Sequence, residues 1–336
     1  MNNFSSGFLR IIRRLIFVLL TSTVLTIFSE KAYWYMQGYE LLGLVLYYAV
    51  PAAACLWAVH FFRVRDHSGM VLIGALYAFC VEGILTPVIY EAGLLDPVMP
   101  AYFIGWHGLI GMLFGWYLVR LWLVEKRWHR LLAASLLFGL FWGFWSLTQW
   151  LPENIAEFEA LARAGEPVLP GKWPPQEFTL YTLFFTLILM LVHWLLGRGG
   201  WETTFRLSCP GKGILLLTLA VLFGLLVIPV QPLAFLKLIV LLGLVLLPLE
   251  VQRRKQPTGS ILEKLQGRIK LHQTLPLLAM PAAASLVYWL AYIHSSGKHL
   301  PGLINEITPF FQALIGVAAY LWAVGRNIIN RPKKPS

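Results

Sequence analysis

Residues 214–249 read ILLLTLAVLFGLLVIPVQPLAFLKLIVLLGLVLLPL, and Lys237 is the only charged side chain among them. A helix on the surface of a soluble domain turns one polar side to water and so interrupts its apolar runs. This stretch has no such side. About 20 apolar residues are what an α-helix needs to cross the hydrocarbon layer. The run breaks only at Pro229-Val230-Gln231-Pro232, where two prolines stop a helix and turn the chain. Two short spans joined by a tight hairpin fit best, and a re-entrant pair is the alternative.

The same pattern repeats outward in both directions. Expected spans lie at 8–28, 41–62, 69–93, 101–123, 130–151, 178–197, 212–230, 232–249, 275–294 and 307–326. The chain is 58% hydrophobic and only 13% charged, against about a quarter charged for soluble domains. The expected fold is an all-α, polytopic membrane bundle of about ten helices in a single domain. The expected location is the cell membrane, taken as a prokaryotic plasma membrane. The first apolar run follows Arg10, Arg13 and Arg14 but lacks a clear small-residue cleavage site, so it reads as a retained signal-anchor.

Charge gives an independent reading of orientation. With the N-terminus placed in the cytoplasm, 22 of the Lys and Arg residues fall on cytoplasmic segments. Only Lys31, Arg163, Lys172 and Lys298 fall outside. Lys237 remains within a span, where its long stem can snorkel outward. That asymmetry puts both termini in the cytoplasm. It also explains the net charge of +11 without nucleic acid, because the basic residues alternate between connections instead of forming one patch. Glu30, Glu40, Glu91, Asp96, Glu153, Glu157, Glu159, Glu166, Glu177 and Glu306 all fall on the outer side. Cys55, Cys80 and Cys209 show no CxxC spacing, which argues against a disulfide framework or zinc ribbon.

Two connections are long enough for structure of their own. In the outer loop 152–177, Ile155, Phe158 and Ala162 recur at helical spacing before Gly165, so a short surface helix is expected. In the cytoplasmic segment 250–274, Ser260 and Glu263 form a capping-box pattern. Ile261, Leu262, Leu265 and Ile269 then share a side, which predicts an amphipathic helix lying on the anionic inner leaflet.

An ionisable group inside a span is expensive unless paired or wet, so the few that occur are the candidates for function. Glu82 lies near the middle of the expected third span, on one face with Ala75, Ala78 and Thr86. A small and polar stripe of this kind faces other helices. His107 shares a face with Gly111 and Gly115 in the fourth span, where glycines permit close backbone approach. From 1.5 Å of rise per residue, His107 lies roughly 9 Å and Glu82 roughly 16 Å below the outer end. Tilt, or a kink at Pro87, would bring them together. Such a pair can carry protons, act as acid and base, or hold a metal with further ligands. Packing with satisfied hydrogen bonds is the plain alternative.

Glu91, on the opposite side of an ideal helix from Glu82, is expected at the solvated boundary. Glu91, Glu30, Gln149 and Trp145 are expected to line the mouth of a site that opens outward. His60 and His193, both near inner ends of spans, have the residue types of a b-type haem pair, but nothing else in the sequence calls for haem. No cofactor or metal is assigned, and the oligomeric state is left open. Phe103-xxx-His107 resembles one motif of the CAAX-type intramembrane protease family. That family also has adjacent glutamates followed by an arginine, whereas Gly83 follows Glu82 here and no arginine lies nearby. The activity is therefore not carried over. Three function classes remain. The first is a transporter of a small solute, ion or lipid with an intramembrane carboxylate. The second is a membrane-embedded enzyme for a lipidic or isoprenoid substrate, and the third is a non-catalytic scaffold subunit. A water-lined route past Glu82 to the cytoplasm would mark the transporter, a blind pocket with converging polar groups the enzyme, and full packing of Glu82 and His107 with no cavity beside them the scaffold.

Overall fold

A computed structural model describes residues 3–31, 40–151, 173–198, 205–255, 259–295 and 303–329, with 155–156, 159–160 and 163. Ten of its helices are long and apolar enough to cross a membrane. They are span 1 (Phe8–Glu30), span 2 (Leu41–Phe61), span 3 (His67–Leu85), span 4 (Val98–Val124), span 5 (Trp128–Trp150), span 6 (Pro175–Arg198), span 7 (Cys209–Leu226), span 8 (Ala234–Lys255), span 9 (Leu271–His294) and span 10 (Ile307–Ile329). No strand occurs among the described residues. Most of the expected surface helix in the loop 152–177 lies outside the described residues.

Leu216, Leu217, Val221 and Leu225 of span 7, Val240 and Leu247 of span 8, and Phe310, Leu314 and Leu321 of span 10 are all exposed. Apolar surface on this scale is rare on a soluble monomer, and it fits the environment of a lipid bilayer. The prolines at 229 and 232 separate spans 7 and 8 as two helices, with turns in between.

The ends of the spans follow from local chemistry. Asp66 caps span 3 by accepting from the Gly69 N–H at 2.9 Å, and Ser208 does the same for Gly211 at the start of span 7. Spans 2 and 4 stop at residues in the left-handed region, Arg63 (φ 53°) and Lys126 (φ 56°). There Val64 N–H donates to Val59 O and Arg127 N–H to Trp122 O, which returns the last carbonyls to hydrogen bonds. These turns lie on the face where the basic residues collect, the basic face. The opposite, acidic face carries Glu30, Glu91 and Asp96.

Span 3 sits at the centre. Its membrane-length window is entirely buried, whereas span 7 buries none. Spans 2, 4, 8 and 10 surround span 3, and spans 5, 6 and 9 pack together beside span 1. Glycine sets the closest approaches. A Cβ on Gly74 would lie 2.6 Å from Gly108 O, and one on Gly108 would lie 2.9 Å from the Gly74 carbonyl. Spans 3 and 4 therefore meet backbone to backbone. Gly111 faces Ser29, and Gly115 faces the Phe28 ring of span 1.

Three places differ from the sequence reading. Span 3 stops as a helix at Leu85, not at 93, because Thr86 is extended (φ −127°, ψ 154°) ahead of Pro87. A residue before proline avoids the helical region. The segment 261–270 holds a single helical turn, Ile261–Lys264, instead of an amphipathic surface helix. Ile261, Leu262, Leu265 and Ile269 are buried against protein. Ile261 N–H donates to Val64 O at 2.6 Å, and Ile269 packs where a side chain on Gly197 would stand. Lys237 reaches outward, as expected, but to protein and not to water. It is buried, and its Nζ donates to Ile89 O at 2.6 Å and Gly93 O at 2.8 Å.

Candidate functional site

Glu82 and His107 meet. His107 Nε2 lies 2.6 Å from Glu82 Oε1, with His107 wholly buried and Glu82 8% exposed. The shortened third span produces this contact. Glu82 is three residues from the last helical residue, not at mid-span, in a π-type turn (Val81–Leu85). His107 belongs to a π-type stretch of span 4 (Ile104–Leu118). The i→i+5 bonding of such stretches widens the helix and re-aims side chains, and they recur at functional positions. A third, Ile27–Lys31, carries Ser29 and Glu30.

The unwound end of span 3 frees carbonyl groups, and nearby tyrosines take them up. Tyr47 donates to Leu85 O at 2.6 Å, and Tyr90 donates to Gly83 O at 2.8 Å. Thr86 Oγ1 lies 2.7 Å from Glu82 Oε2 and 3.4 Å from Val81 O. One hydroxyl proton serves one acceptor at a time. Thr86 therefore donates to an ionised Glu82, or turns to Val81 O and accepts from a protonated one. Both protonation states of the carboxyl keep a partner.

Rings enclose the imidazole. Trp106 and Phe103 are nearly parallel to it, at centroid distances of 5.0 and 5.7 Å. Tyr77 and Tyr48 approach at 6.2 and 6.4 Å. Tyr48 donates its hydroxyl to Glu30. Tyr47, Tyr48, Tyr77 and Tyr102 each lie within electrostatic reach of both Glu30 and Glu82, so two carboxyl groups share one tyrosine-lined region. Trp106 Nε1 donates to Ser29 O at 2.8 Å, which ties spans 1 and 4 together here.

Several buried polar atoms beside the pair lack a hydrogen-bond partner: His107 Nδ1, Tyr77 Oη and Ser29 Oγ; Thr26 Oγ1, three residues before Ser29 on span 1, lacks one as well. Tyr77 and Ser29 hydroxyls face each other without reaching bonding geometry. Buried polar groups normally find partners. Three in one region, next to a carboxyl–imidazole pair, leave hydrogen-bonding capacity for a mobile proton or a further polar group.

Polar groups continue along the seam of spans 1 and 4 toward the basic face. Trp116 Nε1 donates to Thr21 Oγ1 at 3.1 Å. Farther on, buried Arg120 gives one bond, Nη2 to Leu196 O at 3.3 Å, and its guanidinium lies 5.6 Å from the Phe17 ring centroid. Its Nε and Nη1 and both nitrogens of buried His193, which is within electrostatic reach of Arg120, lack partners. His60 lies elsewhere, in the wall of a cavity at the ends of spans 2, 7 and 8.

No protein-family model, curated protein or solved structure compared with the chain matches it.

The remaining sequence candidates divide. Glu30 joins the site through Tyr48. Trp145 stands behind Trp106 at 6.1 Å, so it packs the wall and does not line a mouth. Gln149 is buried in the turn Leu147–Trp150. Glu91 is exposed on the loop after Tyr90, apart from the pair, because the chain left the helix at Thr86. Sequence reasoning missed Tyr48, Tyr77, Ser29 and the Arg120–His193 group. In the sequence Arg120 is one of the 22 basic residues on cytoplasmic segments and carries no other mark. The tyrosines were hidden by the number of aromatic residues in the chain, and only the Tyr47-Tyr48 tandem in an otherwise apolar span could have marked them. Among the described residues, no three His, Cys, Asp or Glu side chains group as metal ligands.

Proposed function

We propose that this multi-pass membrane protein is a proton-coupled transporter of a small solute or ion in a prokaryotic plasma membrane. The basic face is cytoplasmic, and Glu82–His107 is the proton carrier. The observation that carries this reading is the 2.6 Å Glu82–His107 contact with an unpartnered Nδ1 on the far side of the ring.

The geometry suits transfer. One proton lies between Oε1 and Nε2. A proton arriving at Nδ1 forms Nδ1–H, and the Nε2 proton passes to Glu82. The imidazole changes tautomer, and charge never accumulates on both groups. Departure reverses the steps. Glu30 and Tyr48 stand on the acidic side of the pair. Thr26, Thr21–Trp116 and Arg120–His193 follow toward the basic side, along one seam. The unpartnered polar atoms at the pair and along the seam support the transport reading, while the burial of Glu82 and His107 is what a scaffold role expects.

The enzyme reading has one observation in its favour, an apolar groove of about 540 Å³ between spans 3, 4, 8 and 10. Its apolar lining suits an acyl or isoprenoid chain. Neither Glu82 nor His107 lines it, so a chain lying there would not meet the reactive pair.

The test pairs spectroscopy with genetics. Infrared difference spectra of the purified protein across a pH titration are expected to contain a carboxylic-acid band that Glu82→Gln removes and His107→Ala shifts. Both variants are expected to insert normally and to fail to complement a deletion strain. Full complementation by both would end the proposal.

A further inference from the structure

Near the basic end of span 4, Arg120 turns inward. It is only 5% exposed, although the span ends at Val124, about 6 Å of helical rise away. An arginine at that depth ordinarily snorkels its guanidinium to the interface. Lys126, Arg127 and Arg130 already supply basic charge at this end, and all three are exposed. The positive-inside bias therefore does not account for the burial of Arg120. We infer that Arg120 and His193 form a binding site for one small monovalent anion, a halide, at the seam of spans 1, 4 and 6.

A guanidinium stays charged in proteins and has five N–H donors and no acceptor. A buried charge is tolerated when it is paired and hydrogen-bonded. Among the described residues, no carboxylate pairs with Arg120. Its guanidinium crosses to span 6 and gives one long bond, Nη2 to Leu196 O at 3.3 Å, and it lies 5.6 Å from the Phe17 ring centroid of span 1. Nε and Nη1 have no partner. His193 comes three residues before Leu196, is wholly buried, and is within electrostatic reach of the guanidinium. Neither of its ring nitrogens has a partner. Four buried nitrogens from two helices thus keep unspent hydrogen-bonding capacity around one uncompensated charge. Buried Lys237 shows the contrast. Its Nζ gives bonds of 2.6 and 2.8 Å to two carbonyls, and Asp96 lies within electrostatic reach.

The donor set selects the ligand. Guanidinium N–H groups only donate, and a neutral imidazole presents one N–H through its choice of tautomer. Such a set suits a group that only accepts. One positive charge is balanced by one negative charge, whereas a doubly charged phosphate would leave an excess in a buried place. The Phe17 ring, packed against Phe205 at 6.4 Å, gives the guanidinium an apolar neighbour, which favours a weakly hydrated ion. The basic face concentrates anions nearby. The site stands whether or not Glu82–His107 carries protons.

The experiment uses the full chain in phosphatidylcholine nanodiscs, with chloride as the probe and gluconate replacing it at constant ionic strength. The readouts are melting temperature and the line width of chloride NMR. In wild type both should respond saturably, with the melting temperature rising by about 2–4 °C. Arg120→Met should lower chloride affinity about ten-fold or more, as loss of a charge-assisted bond implies. His193→Phe should lower it about five-fold, as loss of a neutral donor implies. In gluconate Arg120→Met should melt no lower than wild type, because it removes an unpaired buried charge, and this separates loss of the site from loss of the fold. Arg130→Gln, exposed at the same end, should keep the full response. If Arg120→Met does not assemble, His193→Phe decides alone. The inference is overturned if wild type responds equally to chloride and gluconate, or if His193→Phe or an assembled Arg120→Met keeps the wild-type affinity.

Discussion

Replacing Gly108 with alanine tests whether the seam of spans 3 and 4 is as tight as the backbone contact implies. A methyl group there would stand 2.9 Å from the carbonyl carbon and oxygen of Gly74 and 3.4 Å from Ala75 N. Ordinary contact begins at 3.4 Å. The obstacle is backbone, so no rotamer relieves it, and the helices must separate by roughly 0.5–1 Å. Overpacking of this kind costs about 1–3 kcal/mol. Alanine recovers up to about 1 kcal/mol of helix propensity, which leaves a net loss of about 1–2 kcal/mol. The control is Gly224→Ala in span 7, where a Cβ meets nothing within 4 Å. That variant should be neutral or slightly stabilised. Unfolding of both in mixed micelles, followed by tryptophan fluorescence, gives the difference. Because His107 adjoins Gly108, separation also lengthens the 2.6 Å bond to Glu82, and the infrared carboxyl band should move in Gly108→Ala alone. Equal stability of the two variants would refute the reasoning.

Further outcomes follow from other contacts. Cys209 is exposed while Cys55 and Cys80 are buried, so a membrane-impermeant maleimide should label one thiol, and only from the cytoplasmic side of oriented vesicles. Labelling from outside would reverse the proposed orientation. Lys237→Met removes the donor to Ile89 O and Gly93 O, and hydrogen exchange across 88–97 should rise while span 3 stays protected. Unchanged exchange would show that the loop is held by other contacts. Thr86→Val leaves Glu82 Oε2 without its 2.7 Å partner. The infrared carboxyl band should shift in frequency, and an unmoved band would show that Thr86 does not touch the carboxyl.

The apolar runs alone placed ten helices, because length and hydropathy are properties of each segment by itself. The Glu82–His107 pairing was within reach of the same reasoning, since few ionisable groups lie inside spans. The mechanism of their meeting was not. Tilt or kinking was expected to bring them together, whereas the helix simply ends at Leu85 and leaves Glu82 near its tip. Pro87 held that information, but a proline in a membrane helix can equally be spanned by a kink. The segment 261–270 shows the opposite failure. Its periodicity is genuine, yet an apolar side can be covered by lipid or by protein, and only tertiary contact with Val64, Val124 and Gly197 decides. The orphaned atoms of Tyr77, Ser29 and His107 belong to three helices, so no local pattern could disclose them.

Spans 3 and 7 also differ in how freely each can drift in sequence. Every membrane-embedded position of span 3 answers to a neighbouring side chain or carbonyl, so its changes must be accommodated by a second change elsewhere. Span 7 answers chiefly to the bilayer, for which leucine, valine and isoleucine are nearly interchangeable. Lineages of this protein should therefore diverge fastest along span 7 and slowest along span 3, in proportion to how much of each helix is surrounded by protein.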